Sequence, residues 1–334
     1  MSSSKQMAGP PILRLGHVFG FVAVLQRLGA PAERHLRRSG IALYSDDPDE
    51  FVPLHRAWSF FHSAARSEDP MLGWHVGRYV GDHGLNRHLL RKLETAPTLY
   101  LALKWLIEFA TSEASHVDLG FIERDRDILF YTQYPVMKGE PGYTSSQTYQ
   151  LGLIVDLIRH FLGHEWVPEE IGIEYPEVPR GLDALYPGVR IMSQQRLGFL
   201  SVPRSSLHMA VRSAPTETST EYSPVLTRDF DFAETLGTLL RPYLPAGYPS
   251  ARLAASLVDT SVTTLARRLS GCGTSYRFLV DRVRFEVAKE LMADTDLRIT
   301  DVAIAVGFDD SSNFARMFRR IGGLSPKQYR RAIH

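Results

Sequence analysis

The chain has 334 residues, 44% hydrophobic and 22% charged, a composition typical of a soluble globular protein with about two domains. Lys and Arg number 38 and Asp and Glu 37, which argues against a basic coat over the whole chain but not against a local basic face. The single cysteine, Cys272, excludes an internal disulfide framework and a cysteine-rich zinc module.

Residues 1–11 lack the apolar core of a signal peptide, and no apolar run reaches the about 18 residues of a membrane span. We therefore expect a cytoplasmic protein without a membrane partner, because one lone cysteine also fits a reducing compartment.

Residues 1–211 mix two kinds of pattern. Apolar residues at helical spacing predict helices over residues 16–28, 98–110 and 148–162, and Pro31 and Gly40 bound a shorter helix. Alternating apolar residues on both sides of residues 123–126 predict a β-hairpin. Further strands are expected at residues 171–175, 189–192 and 197–202. With no βαβ rhythm, this region is predicted to be an α+β domain.

Residues 212–227 (RSAPTETSTEYSPVLT) are rich in Ser, Thr and Pro, which predicts a linker between domains 1–211 and 228–334. Residues 228–334 hold 16 basic and 12 acidic residues, a net charge of +4. Residues 1–227 hold 22 basic and 25 acidic residues, a net charge of −3. The basic character therefore lies in the C-terminal third.

That third contains an internal duplication with an offset of 48 to 50 residues. Ala255 matches Ala303, Asp259 matches Gly307, and the segment 265–267 (LAR) matches 314–316 (FAR). Similarity at a fixed offset indicates two copies of one supersecondary unit. Each copy is predicted to be a helix–turn–helix, with Ser250 and Ser261 as N-caps in the first copy.

In the second copy, Thr300 is the predicted N-cap of the first helix, and Ile299 and Ile304 are predicted to form a hydrophobic staple. Gly307 suits a left-handed turn, and residues 309–311 supply the next cap.

A predicted helix over residues 275–293 separates the two copies. Nineteen residues span about 28 Å, close to the about 34 Å between successive major-groove faces of B-DNA. The predicted C-terminal fold is therefore all-α, with two helix–turn–helix units joined by a long helix, and one chain could read an asymmetric site.

The second helix of each copy carries arginines, which can bind guanine edges or phosphates. Helix N-termini and hydroxyl groups add phosphate contacts. The alternative for a single arginine-rich helix is a solvated face, and the duplication favours DNA binding. The predicted phosphate contacts are Ser261, Thr264, Arg268, Ser311, Arg319, Arg320 and Lys327.

Residues 250–331 resemble the DNA-binding domain of AraC/XylS-family transcriptional regulators. The most specific stretch is residues 299–330, ITDVAIAVGFDDSSNFARMFRRIGGLSPKQYR, with its G-F, F-x-R-x-F, G-x-S-P and Y-R elements. Residues 40–211 more weakly resemble the arabinose-binding-like N-terminal domain of one branch of that family, through 69–73 (DPMLG), 96–99 (APTL) and the segment around 186–207.

The resemblance implies that side chains from the first two turns of each recognition helix contact base edges. By position these are Thr263, Ala266, Arg267, Ser312, Asn313 and Arg316. Ala266 could contact only a thymine methyl group. Asp259 stands where the family usually has glycine, so the first copy is the more divergent.

The resemblance also implies that the N-terminal domain senses a small molecule, mediates dimerisation, or both, and it names no ligand. If the protein is an activator, RNA polymerase is a further partner. Aromatic residues that could line a pocket or belong to the core are Trp105, Tyr131, Tyr149 and Trp166.

Other chemistry finds little support. His160 and His164 lie four residues apart, but the metalloprotease pattern places Glu directly after the first His, where this chain has Phe161. Cys272 could act as a redox sensor only if nearby arginines stabilised its thiolate. No metal, cofactor or catalytic residue is predicted. Two alternatives to a regulator stay open: an enzyme-like N-terminal domain targeted to DNA, and an unregulated architectural DNA binder.

Overall fold

The structure is a computed structural model that describes residues 9–41, 47–83, 95–135, 138–210, 231–294 and 297–333. Its contacts separate an N-terminal unit, residues 11–41 and 47–210, from a C-terminal unit that includes residues 231–333. The N-terminal unit combines helices with two sheets, and the described elements of the C-terminal unit are all helical. This arrangement confirms the predicted fold class. The predicted linker, residues 212–227, lies outside the described residues.

The N-terminal unit contains seven described α-helices and seven strands. The helices are α1 (Leu15–Arg27), α2 (Ala32–Arg38), α3 (Leu54–Ser67), α4 (Leu72–His83), α5 (Leu99–Glu113), α6 (Tyr143–Leu162) and α7 (Leu182–Leu185). The strands are β1 (Ile12–Arg14), β2 (Phe51–Pro53), β3 (Asp118–Glu123), β4 (Asp127–Gln133), β5 (Glu170–Gly172), β6 (Arg190–Met192) and β7 (Gly198–Pro203).

Strands β3 to β7 form one sheet in the order β3-β4-β7-β5-β6, and β1 pairs with β2 in a separate antiparallel ribbon. The β3–β4 hairpin confirms the prediction made from alternation, with Phe121 opposite Phe130. Among the described strands, β5 and β6 form the one parallel pair. The sheet packs against α5 and α6 through an apolar cluster that includes Leu103, Phe130, Ile158 and Leu200.

Helices α4 and α6 approach each other closely because glycines face the contact. A Cβ atom at Gly73 would lie 2.4 Å from the Ser145 carbonyl oxygen, and one at Gly77 would lie 2.4 Å from that of Tyr149. Any larger residue at either position would push the two backbones apart. Helix α6 is the buried centre of the unit, because it contacts α3, α4, β4 and β7.

The C-terminal unit contains helices α8 (Phe232–Leu240), α9 (Ala251–Leu257), α10 (Val262–Gly271), α11 (Tyr276–Asp294), α12 (Ile299–Ala305), α13 (Ser311–Gly322) and α14 (Pro326–Ile333). A capping box begins α8, because the Asp231 carboxylate accepts from the Glu234 N–H and the Glu234 carboxylate accepts from the Asp231 N–H. Helix α8 packs against α9, α10 and α11, whereas α11 packs directly on α12, α13 and α14.

Candidate nucleic-acid interface

The first helix–turn–helix consists of α9 and α10. The hydroxyl oxygens of Ser250 and Ser261 accept from the backbone N–H groups of Leu253 and Thr264, each at 3.1 Å, which confirms both predicted N-caps. Between the helices, Asp259 has a φ of 44°, in the left-handed region, as its match to Gly307 predicts.

The second helix–turn–helix consists of α12 and α13. Gly307 has a φ of 79° and makes the turn, and the Asp310 carboxylate caps α13 by accepting from the N–H groups of Ser312 at 2.9 Å and Asn313 at 3.3 Å. These backbone donors hold the pKa of Asp310 below its usual range. A residue in the segment 309–311 therefore caps the helix, as predicted.

The start of α12 differs from the prediction. The N-cap position is Arg298, not Thr300, because the N–H groups of Asp301 and Val302 already bond the Arg298 carbonyl oxygen. The predicted staple is also wrong, since Ile304 is 64% exposed.

The two copies share their turn geometry as well as their sequence. The N–H of Thr260 donates to the carbonyl oxygen of Ala255, and the matching N–H of Phe308 donates to that of Ala303, each over 2.9 Å. The two donor residues are 48 residues apart, and so are the two acceptor residues. The duplication is therefore present in the backbone structure as well as in the sequence.

Each recognition helix buries one face and exposes the other. In α10, Leu265 and Leu269 are buried; in α13, the buried residues are Phe314, Met317 and Phe318. The opposite faces carry the base-edge candidates Thr263, Ala266, Arg267, Ser312, Asn313 and Arg316, and all six are exposed. In α13, an Arg316 Nη2 atom donates to Asn313 Oδ1 over 2.5 Å, so these two candidates contact each other.

The phosphate candidates divide into two groups. Ser261, Ser311, Arg319 and Lys327 are exposed, Thr264 is half-buried, and the Ser261 hydroxyl donates to Thr264 Oγ1 over 3.1 Å. Arg268, which is half-buried, and Arg320, which is exposed, each have a partner on another helix: the Arg268 guanidinium lies 5.3 Å from the centre of the Phe232 ring, and Arg320 forms an ion pair with Asp281. Both arginines therefore also fasten a recognition helix to a neighbouring helix.

The long helix α11 confirms the predicted connection between the two copies. Helix α11 contacts the second helix–turn–helix through Arg284. This residue is 4% exposed and donates from Nη2 to the Gly307 carbonyl oxygen over 2.9 Å. The guanidinium also lies between the rings of Tyr248 and Phe308, at 5.1 and 4.4 Å. Burial lowers the pKa of Arg284. A sequence signal existed, since Arg284 interrupts the apolar stripe that includes Val280, Val283 and Val287.

The Cys272 thiol is half-buried, and burial raises its pKa, followed by the charge of Asp231. A raised pKa disfavours the thiolate that a redox sensor needs. His160 contacts the carbonyl oxygen of Asp156 through Nδ1 at 3.0 Å. Within the described ranges, no group of three His, Cys, Asp or Glu residues could hold a metal ion.

The N-terminal unit contains a cavity of about 90 Å³ among helices α1, α3, α4, α5 and α6. Of the four aromatic candidates, Tyr149 lines it. Trp105 and Trp166 pack against the core between the sheet and α6, and the Tyr131 hydroxyl donates to Asp118 over 3.4 Å. No helix in the described part of the chain is long and apolar enough to cross a bilayer.

Two family models match the chain. The model for the arabinose-binding N-terminal domain of AraC transcription regulators matches residues 29–211, more than half of the chain, and a helix-turn-helix domain model matches residues 254–332.

Among curated proteins, the ornithine utilization regulator of Pseudomonas aeruginosa is 35% identical over 151 residues, which is 43% of this chain and 44% of that protein. The HTH-type transcriptional regulator VirS of Mycobacterium tuberculosis is 33% identical over 108 residues, 32% of each chain. The matched segments thus span less than half of these relatives.

Among solved structures, the transcriptional regulator CdpR of Pseudomonas aeruginosa aligns over 90% of this chain and 96% of its own, with 20% identity and a TM-score of 0.37. A DNA-binding transcriptional dual regulator of Escherichia coli K-12 aligns over 30% of this chain and 90% of its own, with 25% identity and a TM-score of 0.29. With the duplicated helix–turn–helix and the match across residues 29–211, the chain belongs to the AraC family of transcription regulators.

Proposed function

We propose that this chain is a one-component, sequence-specific DNA-binding regulator whose C-terminal unit binds promoter DNA. The observation that carries the proposal is the duplicated helix–turn–helix, in which both recognition helices present exposed polar and basic residues on the face opposite the core. The surplus of positive charge in the same third of the chain favours a polyanionic partner.

The connecting helix supports simultaneous binding by both copies. Helix α11 has 19 residues, a length of about 28 Å, against about 34 Å for one turn of B-DNA. Recognition helices spaced on that scale can enter successive major grooves from one side. A single chain would then read two different half-sites, since the exposed residues of α10 and α13 differ.

Within this proposal, Arg267 and Arg316 contact base edges, because a guanidinium can donate twice to guanine. Asn313 and the hydroxyl groups of Thr263 and Ser312 add hydrogen bonds. The caps at Ser261 and Ser311, with Thr264, Arg268, Arg319, Arg320 and Lys327, contact or attract phosphates.

The N-terminal unit is proposed to bind a small-molecule effector and to contact a second copy of the chain, within domains 1–211 and 228–334 joined at 212–227. An effector changes DNA binding only if it binds one state of the protein more tightly than another. An activator would also contact RNA polymerase, and the cytoplasm is the proposed compartment.

The test is selection of bound sequences from a random DNA pool by the full chain, followed by gel shifts on the selected site. Arg316→Ala and Arg267→Ala should each weaken specific binding by about 1–3 kcal/mol, or about 5- to 150-fold. Arg37→Ala is the matched control, because it removes one exposed guanidinium from α2 in the N-terminal unit. Unchanged affinity in both α10 and α13 variants would refute the contacts. A pool that shows no sequence preference would instead favour an architectural binder.

A further inference from the structure

The cavity of the N-terminal unit has an apolar body. Most of the side chains around it are aliphatic or phenylalanine, contributed by β1, β3, helices α3 to α6 and the segment between α5 and β3. Its volume, about 90 Å³, is below the about 150 Å³ of an engineered cavity that holds benzene. The lining residues Ala110, Val117, Leu119 and Leu153 are only half-buried, so one side opens to solvent. The enclosed space is therefore smaller than a benzene ring needs, and a ligand with one small ring would extend through the open side.

Three members of a buried polar network, His17, Glu113 and Tyr149, line one end of the cavity, and the fourth, Arg14, contacts Glu113 without being part of the lining. The Tyr149 hydroxyl lies 2.7 Å from His17 Nδ1, His17 Nε2 lies 3.2 Å from Glu113 Oε2, and Arg14 Nε lies 3.0 Å from Glu113 Oε1. His17 and Glu113 are 7% and 8% exposed. A proton on Nε2 facing the carboxylate leaves Nδ1 to accept from Tyr149.

Two atoms of this polar network lack hydrogen-bond partners. His17 Nε2 and Glu113 Oε1 are buried and lack a partner with hydrogen-bond geometry, although the charges of Arg14 and Glu113 are close. Buried polar atoms nearly always have such partners, so an incomplete pair beside a cavity points to a ligand. A hydroxyl or N–H group on a ligand in the cavity would supply a hydrogen-bond donor to the carboxylate of Glu113, which lines the cavity.

The other polar residues around the cavity are engaged with each other. Tyr134 forms side-chain hydrogen bonds with Ser146 and Gln150, and burial raises the pKa of its hydroxyl, so it stays protonated. Gln150 also accepts from Thr132 through Oε1. A sugar carries a hydroxyl on nearly every carbon and would bury several of them against aliphatic side chains, where unpaired polar groups are strongly disfavoured.

We infer that this cavity is the effector site and that it takes a small, uncharged, mainly apolar molecule with one hydrogen-bond donor, such as a phenol, and not a sugar. The inference rests on the proposed effector role of the N-terminal unit. A carboxylate ligand is disfavoured because the Glu113 carboxylate already lies at the polar end of the cavity, and a cation would compete with Arg14.

The test uses the full chain and phenol as the probe, with toluene, benzoate and L-arabinose as comparisons. Melting temperature and calorimetric titration report binding without DNA. Phenol should raise the melting temperature with concentration, toluene should do so less because it lacks the donor, and benzoate and L-arabinose should leave it unchanged.

Ala110→Leu fills the cavity from α5 and should weaken phenol binding by about tenfold or more, equivalent to about 1.4 kcal/mol. Thr111→Leu is the matched control, because Thr111 is exposed, lies on the same helix and does not line the cavity. If Ala110→Leu does not fold, as judged by circular dichroism, Leu153→Phe fills the same space from α6.

Binding of L-arabinose or benzoate in preference to phenol would overturn the inference, as would equal phenol binding by the Ala110→Leu and Thr111→Leu proteins. Absence of any phenol effect up to its solubility would overturn it as well. Because DNA selection uses no ligand, a failed cavity test with sequence-specific DNA binding intact would remove only this inference. Phenol binding without sequence-specific DNA binding would remove the regulator proposal, and with it the effector role, but would leave the ligand site.

Discussion

Gly307→Ala in the turn of the second helix–turn–helix is expected to destabilise that unit strongly. Gly307 has a φ of 79°, and a Cβ atom there would lie 2.2 Å from the Leu244 carbonyl oxygen and 2.8 Å from that of Gly247. Both obstacles are backbone atoms, so neither can rotate away. The same Cβ would lie 2.9 Å from Nη2 of Arg284, the atom that donates to the Gly307 carbonyl oxygen.

The expected size follows from these contacts. A left-handed conformation costs an alanine about 1–2 kcal/mol, and inserting a carbon into a packed site costs about 1–3 kcal/mol. The free energy of unfolding should therefore fall by about 2–5 kcal/mol. In the first copy, the matching position already carries a side chain, so the comparable substitution is Asp259→Gly. Asp259 has a φ of 44° and is exposed, so this substitution should change the free energy of unfolding by less than about 1 kcal/mol.

Native-state hydrogen exchange read by mass spectrometry separates the units, because peptides from α12 and α13 report opening of the second copy. Peptides from α6, in the N-terminal unit, serve as the internal control. Faster exchange in α12 and α13 of the Gly307→Ala protein, with α6 unchanged, is the expected result. Equal protection in the Gly307→Ala and Asp259→Gly proteins would refute the assignment of the turn as sterically closed to side chains.

Three further predictions concern other contacts. Arg320→Ala should destabilise the C-terminal unit by about 1–3 kcal/mol, because it leaves the buried Asp281 carboxylate without its ion-pair partner; this range is below that of a fully buried pair because Arg320 is half-exposed. Adding Asp281→Asn to this variant should restore part of the melting temperature, and no recovery would count against the Arg320–Asp281 ion pair. Gly77→Ala should destabilise the N-terminal unit by about 1–3 kcal/mol, since its Cβ would lie 2.4 Å from a backbone oxygen of α6, whereas Gly271→Ala, with open space around it, should be neutral or slightly stabilising in thermal melts. Burial raises the pKa of Tyr149 well above its ordinary value of about 10, so this residue contributes full stability below pH 10 and loses it as the pH rises further; Tyr149→Phe should therefore flatten the loss of stability between about pH 10 and 12, and an identical slope in both proteins would contradict the burial.

The parts of the fold that sequence predicts best depend on residues close together in the chain. The N-caps at Ser250 and Ser261 and the left-handed turns at Asp259 and Gly307 each follow from a few neighbouring residues, and the structure places all four as expected. Helix α6 begins at Tyr143, five residues before its predicted start at 148. Its first turns carry polar residues that bond Glu174, so they do not show an apolar stripe.

What sequence alone does not predict depends on residues far apart in the chain. His17 and Tyr149, which meet at the cavity, are separated by 132 residues, and Asp281 and Arg320 by 39. No local pattern distinguishes such residues from solvated ones. Thr300 is the opposite case: its residue type suits a cap, but the helix begins earlier because the Arg298 carbonyl oxygen accepts two backbone bonds.

The hydrogen bond from Arg316 to Asn313 has a consequence for how a binding site is described. A guanidinium tethered to its neighbour's amide has fewer orientations to lose when it docks, and the amide has one fewer lone pair to offer a base. Under the proposed base contacts, altering either side chain changes the orientation of the other, so the base preferences at the two contacted positions would be correlated. A DNA-site model that scores each base position independently would misjudge sites in which both of these positions change together.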